Sequence, residues 1–205
     1  MTRETAVSIV ISNRKFPWTS LPMDSPSAPS DGNTNVTTDS EVAPVETRLA
    51  TPDDAEALGR LSQELLTFYG LPSRYQRSYL THAIANGAFA ERSGLAILIA
   101  TVADEPIGFL AFSEIFALAT CQQSIFIQDL FVARKARRSG AGGALMLALA
   151  RHARERNVGQ IDWTADPWNS KAARFYEGMG PILKSEKIFY RLTQDRLNSI
   201  VKNAV

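Results

Sequence analysis

Hydrophobic positions change period along this chain, and the changes mark its elements. Ala55, Leu58, Leu61, Leu65 and Phe68 recur at three- and four-residue spacing, which predicts an amphipathic helix. Thr51-Pro52-Asp53-Asp54 supplies its start, with Thr51 as N-cap, Pro52 at the first helical position and Asp54 at the capping-box position. Gly70-Leu71-Pro72 supplies its end. Thr47–Ala50 reads as a short strand ahead of it, and a weaker helix is expected from about Arg74 to Ala85. The period then shortens. Leu95–Val102 (LAILIATV) and Ile107–Ser113 (IGFLAFS) flank the turn Asp104-Glu105-Pro106 as a hairpin. Ser124–Val132 (SIFIQDLFV) is a third long strand. Helical spacing returns over Ala144–Asn157, with Leu145, Leu149 and Ala153 on one face and Gly159 as the stop. A strand is expected at Gln160–Ala165. A helix follows at Ser170–Met179, entered at Asn169 and closed by Gly178 and Gly180. Ile182–Leu192 predicts one or two last strands. This order makes an α/β (α+β) domain with helices on the faces of a sheet.

The pattern is absent at the N-terminus. From Thr19 to Glu46, 19 of 28 residues are Ser, Thr, Pro, Asp, Asn or Gly, too polar to offset the entropy of ordering. Residues 1–44 therefore read as a low-complexity, disordered extension, and residues 45–205 as one domain. Ala6–Ile11 (AVSIVI) fits a signal peptide poorly, being short and without a basic start. It reads as part of the extension, or as a strand added to the domain or to a partner.

Charge and composition narrow the chemistry. The 22 basic residues balance 21 acidic ones to a net charge of +1, which lacks the basic footprint of a nucleic-acid binder. The lone Cys121 excludes an internal disulfide framework and a cysteine zinc cluster. With only His82 and His152, neither a histidine-rich metal site nor a histidine-centred triad is expected. No apolar run approaches the ~20 residues that cross a membrane. These features predict a soluble protein of a reducing compartment, the cytoplasm, with no metal, nucleic-acid or membrane partner.

One loop carries an anion-binding signal. Residues 134–143 read Arg-Lys-Ala-Arg-Arg-Ser-Gly-Ala-Gly-Gly and join a strand to a helix, with no acidic residue between Asp129 and Glu155. The first N–H groups of a helix lack intrahelical partners, and the helix dipole adds positive potential there. Gly140, Gly142 and Gly143 let backbone approach a ligand, while Arg137 and Arg138 add fixed charge and forked donors. Such a loop is a seat for a pyrophosphate. A P-loop is excluded, because no Lys-Ser/Thr follows the glycines. A dinucleotide fingerprint is half met by Gly140 and Gly142 but has Leu145 in its third place. Arg137-Arg138-Ser139-Gly140-Ala141-Gly142 meets a third pattern, [Q/R]xxGx[G/A].

A second motif follows about 30 residues later: Asn169-Ser170-Lys171-Ala172-Ala173-Arg174-Phe175-Tyr176-Glu177-Gly178-Met179-Gly180. With the strand Phe126–Val132 ahead of the loop, the chain from Val45 to Leu192 resembles the GNAT superfamily of acetyl-coenzyme A-dependent N-acetyltransferases. Within it the likeness is nearest to the diamine (spermidine/spermine-type) and thialysine enzymes. That likeness rests on Arg48 with Thr51–Asp54, on Leu61–Leu65 before Phe68-Tyr69, on Asp129–Val132 and on Trp168-Asn169. Gln128 departs from it, standing where that subgroup has a substrate-facing Glu. The resemblance implies a mixed, mostly antiparallel sheet with splayed central strands and helices on both faces. It also implies acetyl-CoA as co-substrate, a small-molecule amine as acceptor, and a homodimer.

Acetyl transfer to an amine sets three requirements, and the resemblance assigns residues to them. Backbone groups of Leu130, Phe131 and Val132 would align the pantetheine arm, and an N–H there would meet the thioester oxygen. Amides of Arg138, Ser139, Gly140, Ala141, Gly142 and Gly143, with Arg137, would hold the pyrophosphate. Asn169, Lys171 and Ala172 would complete the cofactor side. Tyr176 would protonate the leaving thiolate, since a phenol of pKa about 10 is protonated at neutral pH. Asp129, with Gln128 or a water chain, would recognise and deprotonate the amine. Phe68, Tyr69 and Trp163 would wall the acceptor site. Two alternatives stay open: acetylation of a protein or peptide amine, and a non-catalytic coenzyme A-binding module.

Overall fold

The computed structural model describes residues 43–71, 75–180 and 182–203. The readings of the N-terminal extension and of Ala6–Ile11 lie outside these residues. The first strand, β1 (Val45–Leu49), leads through a single 3-10 turn at Pro52–Asp54 into helix α1 (Ala55–Phe68). The predicted start is present. The Asp54 carboxylate accepts from the Thr51 backbone N–H at 2.8 Å. It also takes two 2.7 Å hydrogen bonds from the Arg48 guanidinium, which ties β1 to the foot of α1. The second helix is shorter than expected: α2 (Arg77–Ala83) passes directly into a π-helical turn at Ile84–Ala88.

The hairpin strands are β2 (Ala96–Val102) and β3 (Glu105–Ala117). Their turn is Ala103-Asp104, one residue earlier than the sequence suggests. Both residues have positive φ (47° and 64°), the geometry of a tight two-residue turn, and a proline cannot adopt it. Pro106 accordingly falls inside β3. Strand β4 (Gln122–Val132) pairs antiparallel with β3, and β5 (Gln160–Trp163) pairs parallel with β4. The sheet order is β1-β2-β3-β4-β5. The mixed, mostly antiparallel sheet matches the expected fold class.

Helices cover both faces because β2 and β3 alternate. Ile97, Ile99, Phe109 and Ala111 meet Leu58 and Leu61 of α1. Leu98, Ala100, Leu110 and Phe112 meet Leu145 and Leu149 of α3 (Ala141–Glu155) on the other face. Strand β4 breaks this alternation. Ile125 and Ile127 lie in the α3-side core, but Phe131 and Ala133 lie in the α1-side core. The ladder explains it: Phe112 pairs with Ile127 and Ala111 with Asp129, so Gln128 is an extra residue. This β-bulge reverses which side chains face each layer beyond it.

Other boundaries move for local reasons. Helix α3 begins at Ala141 rather than Ala144, because Gly140 (φ 89°) takes the left-handed N-cap position. It ends against left-handed Asn157 (φ 54°), two residues before Gly159. Helix α4 (Ser170–Glu177) starts as expected, with the Asn169 side chain accepting from the Ala172 N–H at 3.1 Å. No strand forms over residues 182–192, since that segment has no sheet edge against it. The helix α5 (Gln194–Asn203) that follows was not anticipated. Mid-helix His152 is not a bare surface residue. Its Nε2 lies 2.8 Å from Glu114 Oε1, and its ring meets Phe112 edge-on. Among the described residues no helix is long and apolar enough to cross a membrane.

Candidate active site

Strand β5 pairs only with Ser124–Ile127, the first part of β4. Beyond the bulge, β4 runs on with β3 on one side and, among the described residues, no strand on the other. The backbone orientation there follows from one bond. The Ala133 N–H donates to the Ile107 carbonyl at 2.8 Å, so the N–H and C=O of Phe131 and Ala133 point toward β3. By alternation, those of Leu130 and Val132 point to the open side. Into that opening come the C-terminal end of α1, the glycine-rich loop and α4.

The result is a cleft of about 450 Å³. Leu65, Phe68 and Tyr69 line it from α1, Leu130, Phe131 and Val132 from β4, and Ala136, Arg137 and Arg138 from the loop. Gly140, Ala141, Gly142 and Gly143 line it from the start of α3, and Asn169, Lys171, Ala172, Phe175 and Tyr176 from α4 and its cap. Two motifs about 30 residues apart in sequence thus share one wall. Ser139 serves the loop itself, its hydroxyl accepting from the Ala141 N–H at 3.3 Å. Arg138 sits at φ 74°, a left-handed conformation unfavourable for a non-glycine residue, two residues before left-handed Gly140. Such turns aim successive N–H groups into one concavity.

Gly142 has a task the sequence did not reveal. A Cβ there would approach the Phe175 ring to 3.2 Å, so its absence lets α4 close onto the first turn of α3. Arg137 also does more than supply charge. Its guanidinium lies 5.4 Å from the Phe68 ring centroid, and its Nε–H donates to the Val132 carbonyl at 3.4 Å.

Of the remaining candidates, Trp163 underlies the cleft. Its ring packs at 5.2 Å from Tyr176 and is half-buried beside the α3-side core. Gln128 turns aside, donating to the Ser113 hydroxyl at 2.9 Å. Asp129 is open to solvent but crowded by protein, and desolvation raises its pKa above the ordinary carboxylate value. Tyr69 and Tyr176 are both raised above the usual phenol value. For Tyr69 the causes are burial, then the negative fields of Asp166 and Asp129 and a hydrogen bond to Asp166. For Tyr176 they are burial, then the field of Tyr69. The group therefore holds two protonated phenols and a carboxylate more basic than usual.

Three contributors escaped sequence reasoning. Trp168 packs against Phe68 and Tyr69, with centroids 5.7 and 6.0 Å apart, and completes an aromatic wall. Asp166 faces Tyr69, and Phe175 seals the helix junction. Phe175 stands inside the second motif and Trp168 immediately before it, so the sequence flagged their positions without revealing their contacts.

A mixed sheet that opens at one strand onto an anion-receptive helix start, with a phenol on the facing helix, is the architecture of an acyl-group transferase. The chain belongs to the acetyltransferase (GNAT) family, whose model matches residues 59–180. Members of this family use acetyl-CoA as co-substrate. The chain is 36% identical over 95 residues to the L-ornithine N5-acetyltransferase NATA1 of Arabidopsis thaliana, covering 46% of this chain and 42% of that one. The match thus spans less than half the length of that relative. It is 29% identical over 128 residues to the thialysine N-epsilon-acetyltransferase of Caenorhabditis elegans, covering 62% and 76% of the two chains. Among solved structures, an integron cassette protein (VCH_CASS6) from the mobile metagenome of V. cholerae superposes with a TM-score of 0.71 at 30% identity. The superposition covers 77% of this chain and 98% of that one.

Proposed function

We propose that the chain moves an acetyl group from acetyl-CoA to a primary amine of a small molecule, a diamine, polyamine or lysine-like compound, by direct transfer. The observation that carries this reading is the open edge of β4 beyond Gln128, with Tyr176 on one side and Asp129 beside it. The cleft's donors suit the co-substrate. The α3 start with Arg137 and Arg138 suits a pyrophosphate, and the open-side N–H and C=O groups of Leu130 and the N–H of Val132 suit an amide-bearing arm. When bound, acetyl-CoA supplies an activated acyl carbon and a thiolate leaving group.

The chain's own residues then have distinct tasks. Asp129 takes a proton from the ammonium, directly or through water, and frees the lone pair that attacks the acyl carbon. Burial raises its pKa, which makes it a better base than an ordinary carboxylate. A backbone N–H at the open edge stabilises the oxygen on which charge develops. As the C–S bond breaks, Tyr176 gives its proton to sulfur. Burial keeps that phenol protonated well beyond neutrality. Phe68, Tyr69 and Trp168 offer ring faces to a cationic amine. Two relatives, an ornithine N5-acetyltransferase and a thialysine N-epsilon-acetyltransferase, support this acceptor class, since each is named for an amine of an amino acid.

Thiol release from acetyl-CoA against a panel of polyamines, lysine analogues, ornithine, aminoglycosides and N-terminal peptides tests the reading. Turnover on the diamines or amino acids, at kcat/KM well above that on peptides, is the expected result. Turnover confined to peptides would overturn the acceptor class. Binding of coenzyme A without turnover on any amine would overturn the enzyme's proposed reaction.

A further inference from the structure

The glycine-rich loop has little of its own to hold it in place. From Arg134 to Gly140 it contributes one apolar side chain, Ala136, to the α1-side core. Its backbone bonds are short-range. The Ala136 N–H donates to the Ala133 carbonyl at 2.9 Å, and the Ser139 N–H to the Ala136 carbonyl at 3.2 Å. Such bonds shape a turn without fixing where the turn sits on the domain.

A carboxylate from another element supplies that constraint. Glu64, partly buried on α1, accepts from the Arg134 backbone N–H at 2.6 Å. Arg134 opens a single 3-10 turn, Arg134–Ala136, so its N–H has no partner within that turn. A hydrogen bond from a backbone N–H to a carboxylate is charge-assisted, shorter and roughly twice as strong as a neutral one. Among the described residues, Glu64 is the one side chain from outside the loop that hydrogen-bonds its backbone. The same helix grips the loop again one turn on, because Phe68 stands four residues after Glu64. The Phe68 ring carries the Arg137 guanidinium, whose Nε–H reaches the Val132 carbonyl.

The placement of Glu64 is not that of a ligand group. Leu65 and Phe68 line the cleft, but Glu64 does not. A carboxylate repels a pyrophosphate, and residues 134–143 contain no acid of their own. The carboxylate instead meets a backbone donor at the strand end of the loop, six residues before the α3 N-cap Gly140.

We propose that Glu64 is a positioning residue for acetyl-CoA. It fixes the entrance of the loop against α1, and so sets the place from which Arg137 and the loop amides meet the pyrophosphate. The proposal rests on the reading of this cleft as an acetyl-CoA site. The hydrogen-bond acceptor is what Glu64 supplies, while its charge opposes the ligand.

Calorimetric titration of the full chain with acetyl-CoA, without any amine, tests this. Glu64→Leu should raise the dissociation constant about tenfold, the scale of one hydrogen bond to a charged group. The KM for acetyl-CoA should rise alike, with kcat at saturation within about twofold of the parent. Glu64→Gln keeps a carbonyl acceptor and removes the charge, so it should bind within about twofold of the parent or more tightly. Arg134→Pro removes the donor and covers the case of a Leu variant that does not fold. Proline is accepted at the first position of a helical turn, and Ala133, at φ −50° and ψ 141°, already has the conformation that precedes one. Against Arg134→Ala, which keeps the N–H, Arg134→Pro should bind about tenfold more weakly, and adding Glu64→Leu should weaken it no further. Leu and Pro variants that bind like their references would overturn the proposal and leave the function of the cleft standing. A Gln variant as weak as the Leu variant would also overturn it, since charge would then be the operative property. A parent chain that binds no acetyl-CoA would overturn the reading of the cleft and the proposal with it.

Discussion

The two parts of β4 differ by a single inserted residue and share almost nothing else. Ser124–Ile127 is paired on both sides, and Ile125 and Ile127 are buried under α3. Gln128–Val132 is paired on one side only, exposes Gln128 and Asp129, and offers the backbone of Leu130 and Val132 to a cleft. The first part is built from packing. The second gives up a strand neighbour and accepts a desolvated carboxylate. A bulge lets one strand serve both, because it carries Phe131 over to the α1-side core and keeps the sheet anchored there.

Deleting Gln128 should have the largest effect on this contrast. Removing the extra residue restores simple alternation, which turns Phe131 and Ala133 out of their core and Asp129 to the other face. The deletion variant should lack a cooperative thermal transition, whereas Gln128→Ala, which keeps the bulge and loses only the Ser113 bond, should melt within a few degrees of the parent. A deletion variant that folds and turns over normally would remove the bulge from the account.

Asp129→Asn should separate activity from stability. The kcat/KM for the amine should fall by roughly 10²–10⁴. The thermal midpoint at neutral pH should hold or rise. The sign follows from the raised folded pKa: the carboxyl favours folding while protonated, and this contribution is lost as pH rises through that value. The amide removes that cost. A midpoint lowered by several degrees would make Asp129 structural instead.

Arg137→Ala should weaken acetyl-CoA binding by about tenfold, the scale of one charge-assisted hydrogen bond. Calorimetry at two salt concentrations should also show a shallower salt dependence. The smallest effect belongs to the other end of the domain. Arg48→Ala should cost about 1 kcal/mol at neutral pH, since the pair is part-exposed. Arg48 holds the Asp54 carboxyl below its usual pKa, so the pair's contribution is present above about pH 4. It is lost as pH falls through the lowered value, and the parent and variant melting curves should converge in acid.

Much of this was legible in the sequence for local reasons. The Thr51–Asp54 start, the glycine-rich loop and the Asn169 cap are fixed by residues within a few positions of one another. What escaped depends on distant partners. The bulge is invisible in SIFIQDLFV, where Gln128-Asp129 marks a polar break but not its geometry. Gly142 faces Phe175, and His152 finds Glu114 from 38 residues away. The aromatic wall exists because α1 ends where Trp168 arrives. Residues 182–192 have the composition of strands but form neither helix nor ladder, because strand formation depends on a neighbouring edge that local composition does not encode.

The central claim is that the open part of β4 positions a transfer whose leaving group is protonated by Tyr176. Tyr176→Phe tests it most directly, by pre-steady-state and steady-state turnover alongside acetyl-CoA binding. The account predicts kcat lowered by roughly 10²–10⁴ with the acetyl-CoA dissociation constant within about twofold of the parent. A variant that turns over at the parental rate would contradict it.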